Sequence, residues 1–201
     1  MSRFAFALAL PLVLGLASCG QTLVRADVTR FTTLPPAGGG ESFAVAPDQG
    51  QKGSLEFQHY ADLVAAQLIQ RGWRPVGADA DAVVLLHWGG GTPSTVVSEV
   101  PSDWGAWGGP GPWYGGGLPG PYPDWEVVTE TLWPKWLTVE IDDGSAWRAK
   151  DRRPVFEGRA STATSNQATA PVMPYLIQAL FANFPGANSQ TVRVNVPVAK
   201  D

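Results

Sequence analysis

An α+β two-layer sandwich is the fold class the sequence predicts, a mostly antiparallel sheet with two helices packed on one face. Two long stretches each carry a single apolar face at helical spacing, and several short runs alternate apolar with polar residues. Composition agrees. The chain is 44% hydrophobic and 16% charged, which is enough to build one core and outside the charge-and-hydropathy range of disorder.

The elements follow in order. Val24, Ala26 and Val28 alternate with Arg25, Asp27 and Thr29, so Leu23 to Phe31 reads as a half-buried strand. Pro35, Pro36 and Gly38 to Gly40 end it, and Ser42 to Val45 makes a second short strand. Ser54 to Arg71 is the clearest helix. Ser54 is its N-cap, Glu56 sits in its first turn, and Gly72 occupies the helix-ending position. Phe57, Tyr60, Ala61, Val64 and Leu68 share one face, leaving Gln58, Asp62, Gln70 and Arg71 to water. Asp81 to Trp88, "DAVVLLHW", is an apolar, β-branched run that reads as a central strand covered on both faces.

Composition then changes. Residues 89–125 hold 11 of the 23 glycines, seven prolines and four of the nine tryptophans, without a hydrophobic period. This predicts a long irregular excursion from the sheet rather than a domain. A strand region resumes from Glu126 to Ile141, with Pro134 as a candidate break. The run "DDGSAWRAKDRR" is then a polar turn, with Asp142, Asp143 and Gly144 as the tight part, before Val155 to Thr162 runs back antiparallel. A second helix, opening near Pro171 or Pro174, places Leu176, Ile177, Leu180, Phe181 and Phe184 on one face before Pro185-Gly186 stops it. Val192, Val194 and Val196 alternate in a last strand. The order is ββαβ, a long loop, then ββαβ.

The N-terminus has a different logic. Arg3, an uncharged run from Phe4 to Ala17 and the small residues Ala17 and Ser18 lead directly to Cys19, the one cysteine of the chain. The run is too short to span a bilayer and matches a secretory signal. Leu16-Ala17-Ser18-Cys19 resembles the bacterial lipobox, in which the thiol takes a diacylglycerol and cleavage precedes the cysteine. A disulfide has no second thiol available, and a catalytic thiol would stand in a folded cleft rather than at the end of a leader. Residues 1–18 are therefore expected to be a signal peptide, 19–22 a lipidated N-terminus, and 23–197 one domain. Removing 18 of 201 residues leaves 183. Gly20 stands where, in the sorting rule of enteric bacteria, aspartate retains lipoproteins in the inner membrane. Its presence favours the outer membrane, facing the periplasm, with the inner membrane as the alternative.

The segments "LIQRGWRPV", "DADAVVLLHW", "LTVEIDD", "PVFEGRAS" and "ALFANFP", in that order behind a lipobox, resemble the bacterial lipoproteins of domain-of-unknown-function family 4136 over roughly residues 22 to 197. Phe156 stands where the family pattern commonly has tryptophan. The resemblance implies an envelope location and a fold, and no reaction.

Residues with chemistry are sparse. His59 and His87 are the only histidines and no motif links them. The pairs Asp79 with Asp81 and Asp142 with Asp143 lack calcium-loop spacing and mark turns. Neither glycine triplet, at 89–91 or 115–117, has the lysine and helix of a phosphate loop, and no G-x-S-x-G elbow is present. No cofactor or metal is expected. A formal charge of −4 without a basic cluster speaks against a nucleic-acid partner. The aromatic segment is the distinctive feature. Trp104, Trp107, Trp113 and Tyr114, with Tyr122 and Trp125 nearby, are the candidate ligand or partner surface; they either dock on the sheet or are presented to an envelope protein or glycan. The expected function is a non-enzymatic envelope lipoprotein, tethered to the membrane through Cys19, with a binding or scaffold role. The alternative is a glycan- or lipid-acting hydrolase drawing paired carboxylates from Glu126, Glu130 and Glu140. The tether has a direct test: a palmitate analogue should label the wild type and not Cys19→Ala, and equal labelling of the two would overturn the anchor.

Overall fold

The computed structural model describes residues 22–35, 41–101 and 125–198. Among these residues eight strands form a mixed, mostly antiparallel sheet accompanied by three helices. The elements are β1 (Leu23–Thr32), β2 (Ser42–Val45), α1 (Leu55–Ile69), β3 (Arg74–Pro75), β4 (Ala82–Gly90), β5 (Ser94–Pro101), β6 (Trp125–Asp143), α2 (Gly144–Arg148), β7 (Pro154–Thr164), α3 (Met173–Phe181) and β8 (Gln190–Pro197). Strand order is β3-β2-β4-β6-β7-β1-β8, with β5 paired to β6 off that path. Only β2 runs parallel to its neighbours, β3 and β4.

The predicted alternation becomes the core. Ala26 and Val28 of β1, Ala82, Val84 and Leu86 of β4, Leu137, Val139 and Ile141 of β6, and Phe156 and Ala160 of β7 all join one buried cluster. Helices α1 and α3 bring Phe57, Tyr60, Val64, Leu68, Leu176, Ile177, Leu180 and Phe181 to it. Each such Leu, Ile, Val or Phe contributes about 1.5–3 kcal/mol by leaving water. Val83 and Leu85 are buried as well, so β4 is covered on both faces as its unbroken apolar run predicts. Ser54 caps α1, its side chain accepting from the Phe57 N–H at 3.2 Å.

The C-terminal end of α3 is held from two sides. Arg30 of β1, 4% exposed, donates Nε to the Leu180 carbonyl at 2.9 Å, and Nη2 to Ala179 at 3.1 Å and Ala182 at 2.7 Å. Arg71, just beyond α1, donates to the Phe181 carbonyl. Helix ends leave carbonyls unpaired and carry partial negative charge, and the two guanidiniums satisfy both. Burial, and then the charge of Arg71, lowers the pKa of Arg30. Beside them Phe184, past the helix end, stacks at 4.9 Å from Phe156 and 5.3 Å from Phe181, and Trp73 lies 6.3 Å from it.

Four expectations are corrected. The span 89–125 is not irregular at its ends: β4 runs to Gly90, β5 occupies Ser94–Pro101 and β6 begins at Trp125. β-Branched residues explain this. Thr95, Val96, Val97 and Val100 of β5 and Val127, Val128, Thr129 and Thr131 of β6 lie in one antiparallel ladder, with Thr95 opposite Thr131 and Val97 opposite Thr129, and their strand preference outweighs the Gly/Pro composition of the segment between. Asp142-Asp143-Gly144 is not a hairpin turn. Asp143 N-caps the short helix α2, accepting from the Ala146 N–H at 2.8 Å, although β6 and β7 pair antiparallel as expected. Gly144 is needed there because a Cβ would stand 2.0 Å from the Ala80 carbonyl oxygen. Pro134 does not break β6, which runs through it and changes partner: β5 before it, β4 and β7 after. Helix α3 also stops at Phe181, sooner than the prolines suggest.

Asp81, at the entrance to β4, fastens β2. Its Oδ2 accepts from Ser42 Oγ at 2.6 Å and Ser42 N at 3.1 Å, while the Asp81 N–H donates to Ser42 Oγ at 3.0 Å. The Ser42 side-chain hydrogen bond, followed by the one from its backbone, holds the Asp81 carboxyl below the usual carboxylate range.

Two outcomes follow. Arg30→Met should destabilise the fold by about 3 kcal/mol or more in urea melts, because three carbonyls lose a charged donor in a buried place. A loss under about 0.5 kcal/mol, the range of ordinary surface changes, would show that the clamp is not structural. Asp81 has a folded pKa below its unfolded value of about 3.9, so its contribution is present above that pH and lost as pH falls through the folded pKa. The stability gap between wild type and Ser42→Ala should therefore narrow on acidification from about pH 5 to pH 2. A gap independent of pH would refute the assignment.

Candidate binding surfaces: a projecting ribbon and a basic-rimmed groove

β5 and the first eight residues of β6 form a two-stranded ribbon with register from Ser94 opposite Leu132 to Pro101 opposite Trp125. Among the described residues nothing else pairs with β5, and the 125–132 part of β6 has no second strand beside it. Directly opposite residues share a face. One face thus carries Val96, Val100, Val128, Glu126 and Glu130, the other Val97, Val127 and Glu99. The valines are open to solvent, Val97 at 62% and Val127 at 61% exposed. Two-stranded ribbons are marginal alone in water, and exposed edges with apolar side chains invite pairing. From Gly89 to Pro134 the sequence has five acids and no Lys, Arg or His.

The base of the ribbon is tied to the sheet by a buried cation. Lys135, 1% exposed, donates Nζ to Thr164 Oγ1 at 2.8 Å, to the Trp133 carbonyl at 3.2 Å and to the Asn166 carbonyl. Burial lowers its pKa. Three oxygens satisfy its three donors, so it acts as a fixed clasp where β6 changes partner. Nothing in the sequence marks this lysine as buried.

At the other end of β4 and β6 lies a groove of about 900 Å³. Ala44 and Val45 of β2 with Ala46 after it, Val76 to Ala78 after β3, and Val83 of β4 line it. Trp147 and Arg148 of α2, with Lys150 and Arg152 beyond it, complete it, and no acid is among its lining residues. Arg152 stacks over the Trp147 ring at 5.8 Å. It also pairs with Glu140 at 2.7 Å and with buried Asp142 at 2.8 Å, and the Asp142 hydrogen bond leads the effects that raise its pKa. Arg148 donates to the Ala80 carbonyl at 2.8 Å. Lys150, at φ 60°, is exposed and has no partner among the described residues.

The sequence-predicted residues fall as follows. Cys19, Trp104, Trp107, Trp113, Tyr114 and Tyr122 lie outside the described residues. Trp125 opens β6. His59 is exposed on α1, whereas His87 of β4 places Nδ1 3.2 Å from Asp48 Oδ2, so each has its own surroundings. Asp79 is exposed in the turn before β4; Asp81, Asp142 and Asp143 serve the contacts above. Glu126 and Glu130 stand four residues apart on one extended strand, about 13 Å, beyond the separation of either class of glycosidase pair. Glu140 converges with Asp142 on Arg152, an ion-pair arrangement. Among the described residues no three His, Cys, Asp or Glu side chains group as metal ligands.

Comparisons with known proteins give fold and family. No curated protein matches the chain. A PDZ domain protein from Parabacteroides distasonis is similar in structure at a TM-score of 0.51 and 8% identity, over 86% of this chain. That match spans 39% of the longer protein. A PelC dodecamer from Paraburkholderia phytofirmans is similar over 79% of this chain and 95% of its own, at 14% identity and a TM-score of 0.37. A family model matches residues 27–186, so the chain belongs to the family described as domain of unknown function (DUF4136).

Proposed function

We propose that this protein is a non-enzymatic envelope lipoprotein, tethered through Cys19 to the outer membrane and facing the periplasm, whose domain binds a partner through the β5–β6 ribbon. The ribbon carries the reading. A domain with a well-filled core has no folding reason to project a ribbon whose valines lie open on both faces, and such exposed apolar surface is characteristic of an interaction element. Its acids make a bilayer a poor partner, since anionic headgroups repel them. Trp104, Trp107, Trp113 and Tyr114 lie between the two strands in the chain and extend the candidate surface. The hydrolase reading gains no support from Glu126, Glu130 and Glu140, which form no pair of the spacing that chemistry needs.

Val97→Asp with Val127→Asp should leave the melting temperature within about 2 °C of wild type, because neither side chain belongs to the core. The same variant should lose crosslinks formed in intact cells. Crosslinks that survive unchanged would remove the ribbon from the binding function.

A further inference from the structure

We infer that the ribbon of one copy seats in the basic-rimmed groove of a second copy, giving head-to-tail association. This rests on the reading of the ribbon as the binding element and names its partner. The chemistry of the two surfaces is complementary. The ribbon offers Val97 and Val127 with Glu99 on one face and Val96, Val100 and Val128 with Glu126 and Glu130 on the other. The groove offers an apolar floor at Ala44, Val45 and Val83, a flat wall at Trp147, and cations at Arg148 and Lys150. Arg152 is already committed to Glu140 and Asp142, which leaves Lys150 as the cation without a partner among the described residues. Apolar floor meets valine and lysine meets glutamate.

Placement excludes the intramolecular version. The ribbon is the beginning of β6, while Val83 on the groove floor pairs with Asp142 near its end. Val127 and Asp142 are 15 residues apart on that strand, about 50 Å at the rise of a β-strand. A ribbon therefore points away from its own groove and toward the groove of a neighbour. Two different surfaces meeting make a heterologous interface, which propagates into a closed ring or an open filament.

The test uses the full-length lipoprotein in cells, with a photo-crosslinking amino acid at Val97. Irradiation should give an adduct of two copies in which Val97 is joined to the stretch from Trp147 to Arg152. Glu99→Lys/Glu126→Lys/Glu130→Lys in the ribbon, or Lys150→Glu in the groove, should each cut the adduct about tenfold or more, since like charges then meet. The Lys150 side chain has no partner among the described residues, and its backbone bond to the Trp147 carbonyl is kept in the variant, which therefore guards against misfolding. Co-expressing the ribbon-reversed chain, carrying the crosslinker, with Lys150→Glu should restore the adduct between the two. An adduct joining ribbon to ribbon, or ribbon to a different envelope protein alone, overturns the inference and keeps the ribbon as a binding element. Absence of any adduct overturns both.

Discussion

Two guanidiniums resting on the last turn of one helix organise this domain. Arg30 comes from β1 and Arg71 from the segment after α1, and both donate to carbonyls at the C-terminal end of α3. No carboxylate contacts either arginine among the described residues, so the helix end itself supplies the compensating charge. The clamp joins the sheet to both long helices at one point. Around it Phe156, Phe181 and Phe184 fill the space, and Gly186, at φ 81°, lets the chain pass where a side chain would meet Arg30. Nonpolar burial supplies the bulk of the stability. The arginines fix the position of the C-terminal end of α3.

β6 is the second organising element. Its 19 residues serve in turn as a ribbon strand, a neighbour of β4 and β7, and the lead into α2. Lys135 clasps the point where those roles change, and Asp142 with Arg152 pins the far end. Ribbon and groove thus sit at opposite ends of one strand.

Much of the fold was legible because it depends on local pattern. The alternation in Val24 to Val28 and in Leu137 to Ile141, the Ser54 cap and the unbroken apolar run of β4 each predict an element from its own residues. The ribbon was not legible, because glycine and proline between residues 102 and 124 dominate the composition of the whole segment, while the pairing of β5 with β6 across that gap is a non-local event. The same holds for α2. Read alone, Asp-Asp-Gly fits a tight turn; in the fold Asp143 caps a helix, and Gly144 is placed against the backbone of Ala80.

By itself the sequence determined the fold class, the two long helices, six of the eight strands and the expectation of a lipid anchor at Cys19, since these rest on periodicity, composition and a contiguous motif. Tertiary structure alone decided which polar residues are buried and what they hold. Arg30, Lys135 and Asp142 look like ordinary surface charges in the chain, and each is buried in the fold. The groove is likewise invisible in sequence, because its lining comes from four separate stretches between Ala44 and Arg152. The physical reason is common to both: a charge can be buried only where donors or acceptors from distant segments converge on it, and that convergence has no local signature.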